Sequence, residues 1–263
     1  LQSPNIISYA VFCLKKKYDT KNALNGEQRL ATEKSKDLKL IKGLKDLNKA
    51  QLEDVTNKVN SANTLTELSQ LTQSTLKLND KMKLLRDKLK TLVNPVKASL
   101  NYRNADYNLK RQFNKALKEA KGVLNKNSGP NVNINDIQHL LTQIDNAKDQ
   151  LNGERRLKEH QQKSEVFIIK ELDILNNAQK AAIINQIRAS KDIKIINQIV
   201  DNAIELNDAM QGLKEHVAQL TATTKDNIEY LNADEDLKLQ YDYAINLANN
   251  VLDKENGTNK DAN

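Results

Sequence analysis

Tryptophan is missing from this 263-residue chain, and cysteine, proline and glycine are scarce, at one, three and seven residues. Each shortage excludes something. A single cysteine, Cys13, allows no internal disulfide, so packing alone must hold the fold. Ten Gly and Pro residues are too few turn formers for a many-stranded β protein and leave room only for a few long elements. Three Phe and seven Tyr are a small aromatic complement, so the 38% hydrophobic content rests on Leu, Ile, Val and Ala, the residues of helix packing. The expected fold class is all-α. No stretch approaches the roughly 18 uninterrupted apolar residues of a membrane span, and the first residues show no signal-peptide pattern. The chain reads as a piece of something longer, with no membrane insertion.

Catalytic signatures are equally absent. There is no G-x-S-x-G, phosphate loop, dinucleotide fingerprint or H-E-x-x-H. His139, His160 and His216 stand in separate segments, with no Cys, His or carboxylate partner at ligand spacing. No enzyme activity, metal or cofactor is expected. Lys and Arg number 41 against 34 acidic residues, a net charge of +7. The signs are interspersed along nearly every segment, the pattern of solvated helix faces. The densest basic run, Lys15–Lys17, is too short for a nucleic-acid arm and has no aromatic platform for stacking bases. Nucleic acid is not an expected partner.

What the chain does have is an internal repeat. Leu24-Asn25-Gly26-Glu27 recurs as Leu151-Asn152-Gly153-Glu154 at an offset of 127, and after one inserted residue the offset becomes 128 and holds. Leu47-Asn48 with Ala50-Gln51 matches Leu175-Asn176 with Ala178-Gln179. Leu78-Asn79-Asp80 and Met82 match Leu206-Asn207-Asp208 and Met210. Tyr102, Asn104, Ala105 and Asp106 match Tyr230, Asn232, Ala233 and Asp234, and Gly129 finds Gly257. The full repeat runs once, and the second copy stops after Gly257. Its tail, residues 253–263, is expected to be disordered.

Within one repeat, Leu38, Ile41, Leu44 and Leu47, then Leu52, Val55, Val59 and Ala62, mark two short amphipathic helices. From Leu65 the apolar positions continue through Leu78, Met82, Leu85, Leu89 and Leu92 without Gly or Pro until Pro95, which is expected to end one helix of nearly thirty residues, roughly 40 Å long. Asn104 and Asn232, each followed by acidic residues, read as N-caps of the next helix. Leu109, Phe113, Ala116 and Ala120 face inward on it. Ile137, Leu140, Leu141, Ile144 and Ala147 define the helix after that. Gly26 and Gly153 read as left-handed C-cap glycines closing the unit. Tyr102 and Tyr230 are expected to plug a bundle end, and Cys13, aligned with Leu140, to point inward.

This pattern predicts tandem three-helix bundles joined end to end by shared long helices, rod-like, each repeat touching only its neighbours. The expected divisions are 1–26, the last helix of a preceding bundle; 27–78 and 154–206, bundles of one type; 79–153, a bundle of the second type; and 207–263, an incomplete copy of the second type.

The residues also resemble known families. Val59-Asn60-Ser61-Ala62-Asn63-Thr64-Leu65-Thr66-Glu67-Leu68, preceded by Leu47-Asn48-Lys49-Ala50-Gln51, resembles the GA module, a three-helix bundle of Gram-positive surface proteins. Ser99–Asp106, followed by Phe113-Asn114-Lys115-Ala116 and closed by Leu151-Asn152-Gly153, resembles the FIVAR module. Their alternation at this period is similar to the giant staphylococcal extracellular-matrix-binding proteins. That resemblance implies a wall-associated, cell-surface fibrous protein whose repeats contact matrix proteins such as fibronectin. Albumin binding transfers poorly, because Lys49-Ala50-Gln51-Leu52-Glu53 and Asn177-Ala178-Gln179-Lys180-Ala181 offer no bulky apolar anchor at the start of the second helix.

Three functions compete: a monomeric structural rod that binds matrix weakly and multivalently, a dedicated binding module with a defined hot spot, and a cytosolic spectrin-like rod. The two alternating bundle types argue against the last.

Overall fold

The computed structural model describes residues 4–22 and 24–260, and among them every regular element is a helix. In chain order these are α1 (Pro4–Asn22), α2 (Gly26–Lys42), α3 (Lys49–Ser61), α4 (Leu65–Ala98), α5 (Leu100–Arg103), α6 (Tyr107–Val123), α7 (Ile134–Asp149), α8 (Gly153–Lys170), α9 (Asn177–Ala189), α10 (Ile193–Thr223), α11 (Ile228–Leu231) and α12 (Glu235–Leu252). The series α2 to α6 recurs as α8 to α12. The chain forms two compact units. One comprises the chain up to Val93 with Gln112–Asp149, the other Asn94–Arg111 with everything from Gln150 onward.

In the first unit, Ile41 from α2, Val55, Val59 and Ala62 from the α3 segment and Leu68 from α4 form a buried cluster, flanked by Leu30, Leu38, Leu52 and Leu71. Further along α4 a second buried face carries Met82, Leu85 and Leu89. It is accompanied by Phe113, Ala116, Leu117 and Ala120 on α6 and by Ile137, Leu141, Ile144 and Ala147 on α7. Each of these large side chains contributes about 1.5–3 kcal/mol on burial, whereas the ion pairs, mostly exposed, are worth ~0–1 kcal/mol each. The core therefore decides stability. α1 stands apart: its described side chains from Ser8 to Lys17 are exposed. Cys13, expected to point inward, is exposed with them.

In the second unit Leu157 and Ile168 of α8, Leu172 and Leu175 of the following turn, Ile183 and Ile187 of α9, and Ile196, Ala203 and Met210 of α10 form one core. Leu100 from α5 and Val251 and Leu252 from α12 pack against it. α12 itself has no buried residue.

The long helices are real, with 34 residues in α4 and 31 in α10, the former ~51 Å at 1.5 Å per residue. Two details differ from expectation. α2 ends at Lys42, so Leu44 and Leu47 belong to the turn, from which Leu47 is still fully buried. Pro95 does not stop α4, which runs three residues further. In the last turn the proline forfeits the bond its N–H would make to the Thr91 carbonyl and its ring crowds that carbonyl, and the helix, with only three residues to follow, accommodates both. α10, with Thr223 at the equivalent position, ends there without any proline. What turns the chain after α4 is Ser99. Its backbone is extended (φ −68°, ψ 151°), and its hydroxyl oxygen accepts the Tyr102 N–H to begin α5.

Pro95→Ala should accordingly keep α4 helical and restore one backbone bond. The expected result is unchanged or slightly greater helicity by circular dichroism and a melting temperature raised by about 2–4 °C for ~1 kcal/mol; a lower melting temperature would show that proline holds a bend the fold needs.

Candidate functional site: amide clamps at the bundle junctions

The first junction is built on the repeated Asn-x-x-Gln of residues 48–51. Asn48 caps α3: its Oδ1 accepts the Gln51 N–H at 2.9 Å, while Gln51 Oε1 accepts the Asn48 N–H at 3.0 Å. A serine–glutamate capping box would end there. Here both members are amides, so each keeps an NH2 group to spend elsewhere. Asn48 Nδ2 donates to the carbonyls of Val123 (3.1 Å) and Pro130 (2.9 Å), and Gln51 Nε2 donates to that of Val132 (3.0 Å). Lys49 N–H adds a bond to the Lys126 carbonyl at 2.8 Å. The cap of α3 thus seizes the α6–α7 loop, and both amide side chains are completely buried.

The second copy rebuilds the same arrangement. Asn176 Nδ2 donates to Val251 and Thr258 carbonyls, both at 3.0 Å, Gln179 Nε2 to the Lys260 carbonyl at 2.9 Å, and Asn177 N–H to the Lys254 carbonyl at 2.9 Å. The tail expected to be disordered therefore carries the clamp as far as Lys260; residues 261–263 lie outside the described residues. Gly129 and Gly257 recur because a Cβ at either would stand 2.6 Å from the clamping amide nitrogen.

Supports converge on the same turn. Asn79 Oδ1 accepts the Asp46 N–H at 3.0 Å, and Asn207 Oδ1 the Ile174 N–H at 3.1 Å, which accounts for the repeated Leu-Asn-Asp. Arg86 pairs with the Asp46 carboxylate, and Lys126 donates to the carbonyls of Lys45 and Leu47. Burial, aided by the Arg86 charge, pushes the Lys126 ammonium below its ordinary pKa.

The second junction lies within the second unit, where the α5–α6 corner meets α8 and the α9–α10 turn. Asn104 is not an N-cap: it closes the short helix α5, and Asn232 does the same for α11. The N-terminal position of the next helix falls two residues later, at Asp106 and Asp234, and Asp234 makes no side-chain cap bond. Freed from that duty, buried Asn104 reaches across: its Oδ1 accepts the Ile193 N–H at 3.0 Å and its Nδ2 donates to the Lys191 carbonyl at 3.1 Å. Arg156 Nη1 donates to the Asn104 carbonyl at 2.8 Å, and its Nε lies 3.1 Å from Asp106 Oδ1. The exposed Asn232 bonds within its own turn, its Nδ2 donating to the Ile228 carbonyl at 2.9 Å.

The glycines of the Leu-Asn-Gly-Glu motif also differ from expectation. Gly26 and Gly153 do not end a helix in the left-handed conformation; each begins one, behind Asn25 and Asn152, and no glycine has positive φ. Gly153 serves space instead. A Cβ there would stand 2.3 Å from the Asn101 carbonyl oxygen, 2.5 Å from that of Leu100 and 2.7 Å from the Ala105 nitrogen. Asn152 completes the seat: its Oδ1 accepts the Asp106 N–H at 3.1 Å and its Nδ2 donates to Asp106 Oδ2 at 2.6 Å. Gly26 has open space around it.

Tyr102 and Tyr230 are half-buried beside these corners. Lys110 Nζ lies 5.8 Å from the Tyr102 ring centre. Tyr230 donates its hydroxyl to Asp242 at 2.9 Å and meets Tyr241 edge-on at 5.6 Å. The Lys225 ammonium and the Tyr230 hydroxyl hold the Asp242 carboxyl below its ordinary pKa. Among the described residues no group of His, Cys, Asp and Glu could hold a metal ion, and no helix is long and apolar enough to cross a membrane. The amides of Asn48, Gln51, Asn176 and Gln179 escaped a reading by caps and periodicity, although their recurrence at the 128 offset was the available signal.

Two substitution pairs test the junctions. Asn48→Ser keeps an oxygen for the cap but loses both clamping donors, so urea unfolding should show a loss of ~2–3 kcal/mol; Asn48→Ala should cost about 1 kcal/mol more. A negligible loss for Asn48→Ser would mean that the clamp adds nothing to the cap. Gly153→Ala should destabilise by at least ~2 kcal/mol through backbone collision, while Gly26→Ala, unobstructed, should be neutral or stabilising by ~0.4–1 kcal/mol.

Comparison with known proteins agrees with this architecture. Residues 27–81 and 154–209 match the GA module, and residues 81–152 and 209–263 match the FIVAR domain. Extracellular matrix-binding protein ebh of Staphylococcus aureus strain MW2 is 33% identical over 258 residues, 98% of this chain and 2% of its own length. Extracellular matrix-binding protein EbhA of strain Newman shows the same identity and coverage of this chain, which spans 7% of it. In structure, the 756–1003 domain of Staphylococcus aureus EbhA superimposes with a TM-score of 0.68 at 24% identity, over 77% of this chain and 80% of that domain, a likeness of fold. The alternation of the two modules, clamp by clamp, places this chain in the family of GA–FIVAR repeat proteins that includes the Ebh proteins.

Proposed function

We propose that these repeats are structural spacer elements of a bacterial cell-surface adhesin, which as monomers contact host extracellular matrix, fibronectin included, weakly per repeat and strongly only in multiple. The observation that carries this reading is the saturation of the junctions. The amides of both copies are spent on backbone groups of the neighbouring segment, so the built features of the chain serve connection rather than ligand capture. Relatives called extracellular matrix-binding proteins supply the matrix side of the reading, although the chain spans only a small share of their length. Repetition then provides strength: many weak contacts joined in one chain raise avidity without any strong single site.

Albumin is not proposed as a partner. At the start of α3 Gln51 is buried in the clamp and Lys49 lies 3.8 Å from Glu53; at the start of α9 Lys180 folds back to the Ile169 carbonyl at 3.0 Å. Neither site presents an apolar anchor.

One observation favours a second reading, a defined hot spot. Leu239, Tyr243 and Leu247 form a ladder along α12, 61%, 70% and 53% exposed. The equivalent positions of the first copy are Arg111, Lys115 and Glu119, the latter two an i,i+4 ion pair at 3.9 Å. An apolar ladder where the other copy is charged has no explanation in the bundle core, whose face on this helix is that of Tyr241, Ile245 and Ala248.

The two readings separate on immobilised fibronectin, with albumin as control, at about 0.15 M and about 1 M salt, where the Debye length falls from ~8 to ~3 Å. The spacer reading expects weak binding that salt removes and that Leu239→Glu/Tyr243→Glu leaves unchanged. Saturable, salt-resistant binding abolished by that double substitution would instead make the ladder the adhesive element.

A further inference from the structure

Three of the seven glycines follow asparagine, at Asn25-Gly26, Asn152-Gly153 and Asn256-Gly257. This dipeptide carries its own chemistry. The glycine nitrogen, unshielded by any Cβ on its own residue, attacks the asparagine Cγ. A new N–C bond closes a five-membered succinimide, the amide proton passes to solvent and the side-chain nitrogen leaves as ammonia. Water then opens either imide carbonyl, giving aspartate or isoaspartate. Water is the only co-reactant, and no electrons are exchanged.

We propose that the Leu-Asn-Gly-Glu motif is a site of spontaneous deamidation that the closed junction between the α5–α6 corner and α8 holds shut, so that Asn25 reacts freely while Asn152 reacts only when that junction opens.

The two copies of the motif form a matched pair. Both asparagines precede a helix with nearly the same backbone, ψ 21° at Asn25 and 16° at Asn152. Ring closure requires the peptide plane after asparagine to turn out of that arrangement, and what differs is the cost of turning it. At Asn25 the turn breaks one bond, from the Arg29 N–H at 3.0 Å. The side chain makes no cap bond, residue 25 is exposed and nothing lies within 4 Å of a Cβ on Gly26. At Asn152 the equivalent bond from Arg156 is also 3.0 Å, but two more constraints are added. The side-chain amide is held at both ends by Asp106, and Gly153 is wedged against the Leu100 and Asn101 carbonyls. Cγ therefore cannot approach the glycine nitrogen without first leaving Asp106, and the nitrogen cannot turn without first clearing α5. Opening of this kind is a local event whose free energy sets the rate of any chemistry that requires it.

The products cannot restore the closed state. Aspartate at 152 replaces a donor by a carboxylate against the Asp106 carboxylate, and like charges at that separation repel. Isoaspartate inserts an extra backbone carbon beside Gly153, where there is no room even for a Cβ. Each conversion thus leaves one junction permanently weakened, and the motif becomes an irreversible counter of junction openings.

The test follows the intact chain through prolonged incubation at body temperature and mildly alkaline pH, with peptide mapping by mass spectrometry to quantify aspartate and isoaspartate at both sites. A synthetic peptide spanning residues 22–30 gives the unrestrained rate. Asn25 should convert at close to the peptide rate and Asn152 at least tenfold more slowly. Asp106→Ala, which removes the carboxylate that holds the amide, should raise the Asn152 rate severalfold while leaving that of Asn25 alone. Should that variant fail to fold, sub-denaturing urea on the unaltered chain replaces it, and the Asn152 rate should rise with urea while that of Asn25 stays flat. Equal rates at Asn25 and Asn152 in the folded chain, an Asn25 as inert as Asn152, or an Asn152 rate indifferent to both perturbations would each overturn the proposal.

Discussion

The structure depends on a side-chain amide that is buried and has both of its N–H donors in use. Asn48 satisfies the N-terminus of α3 with its oxygen and the α6–α7 loop with its nitrogen. Burial of such a group without partners would cost several kcal/mol; pairing both donors turns the same burial into a geometric requirement, because displacing the loop would leave buried N–H groups without acceptors. A helix cap is ordinarily a local device. Here it is the point where one three-helix arrangement fixes the turn of the next, and Asn176 repeats it with distances that agree within 0.1 Å.

This has a consequence for what counts as a unit. Residues 94–111 belong by sequence to the FIVAR match at 81–152, yet they fold with the second compact unit, where Leu100 joins the core of α8, α9 and α10 and Asn104 holds the α9–α10 turn. A GA module cut at its sequence limits would lose, among other contacts, the packing of Leu100 and the hydrogen bonds of Asn104, which its own residues do not supply. Family boundaries follow the recurrence of sequence, whereas stability follows burial.

Much of this was legible beforehand. Helical class, the 128-residue period and the two long helices followed from residue usage and spacing, because a long amphipathic helix is over-determined by a dozen apolar positions. The readings that failed concern single residues with more than one physical use. Asparagine before an acidic residue suggests an N-cap, but Asn104 closes α5 and reaches into the next module. Glycine after a helix suggests left-handed backbone, but Gly153 is needed for the space its missing Cβ leaves. Proline suggests a helix end, but in the last turn of α4 it forfeits a single bond. For Asn104 and Gly153 local preference was overruled by a partner distant in sequence, which no local pattern can reveal.

The choice of backbone as the acceptor explains how the architecture tolerates divergence. Asn48 bonds to the carbonyls of Val123 and Pro130, and Asn176 to those of Val251 and Thr258; Gln51 bonds to Val132, and Gln179 to Lys260. Proline and threonine, or valine and lysine, serve equally because each presents the same C=O. The clamp therefore constrains the amides and the glycines that make room for them, while the clamped residues are free to change. A side-chain-to-side-chain junction would have required paired substitutions at every step of drift. A junction of this kind needs none.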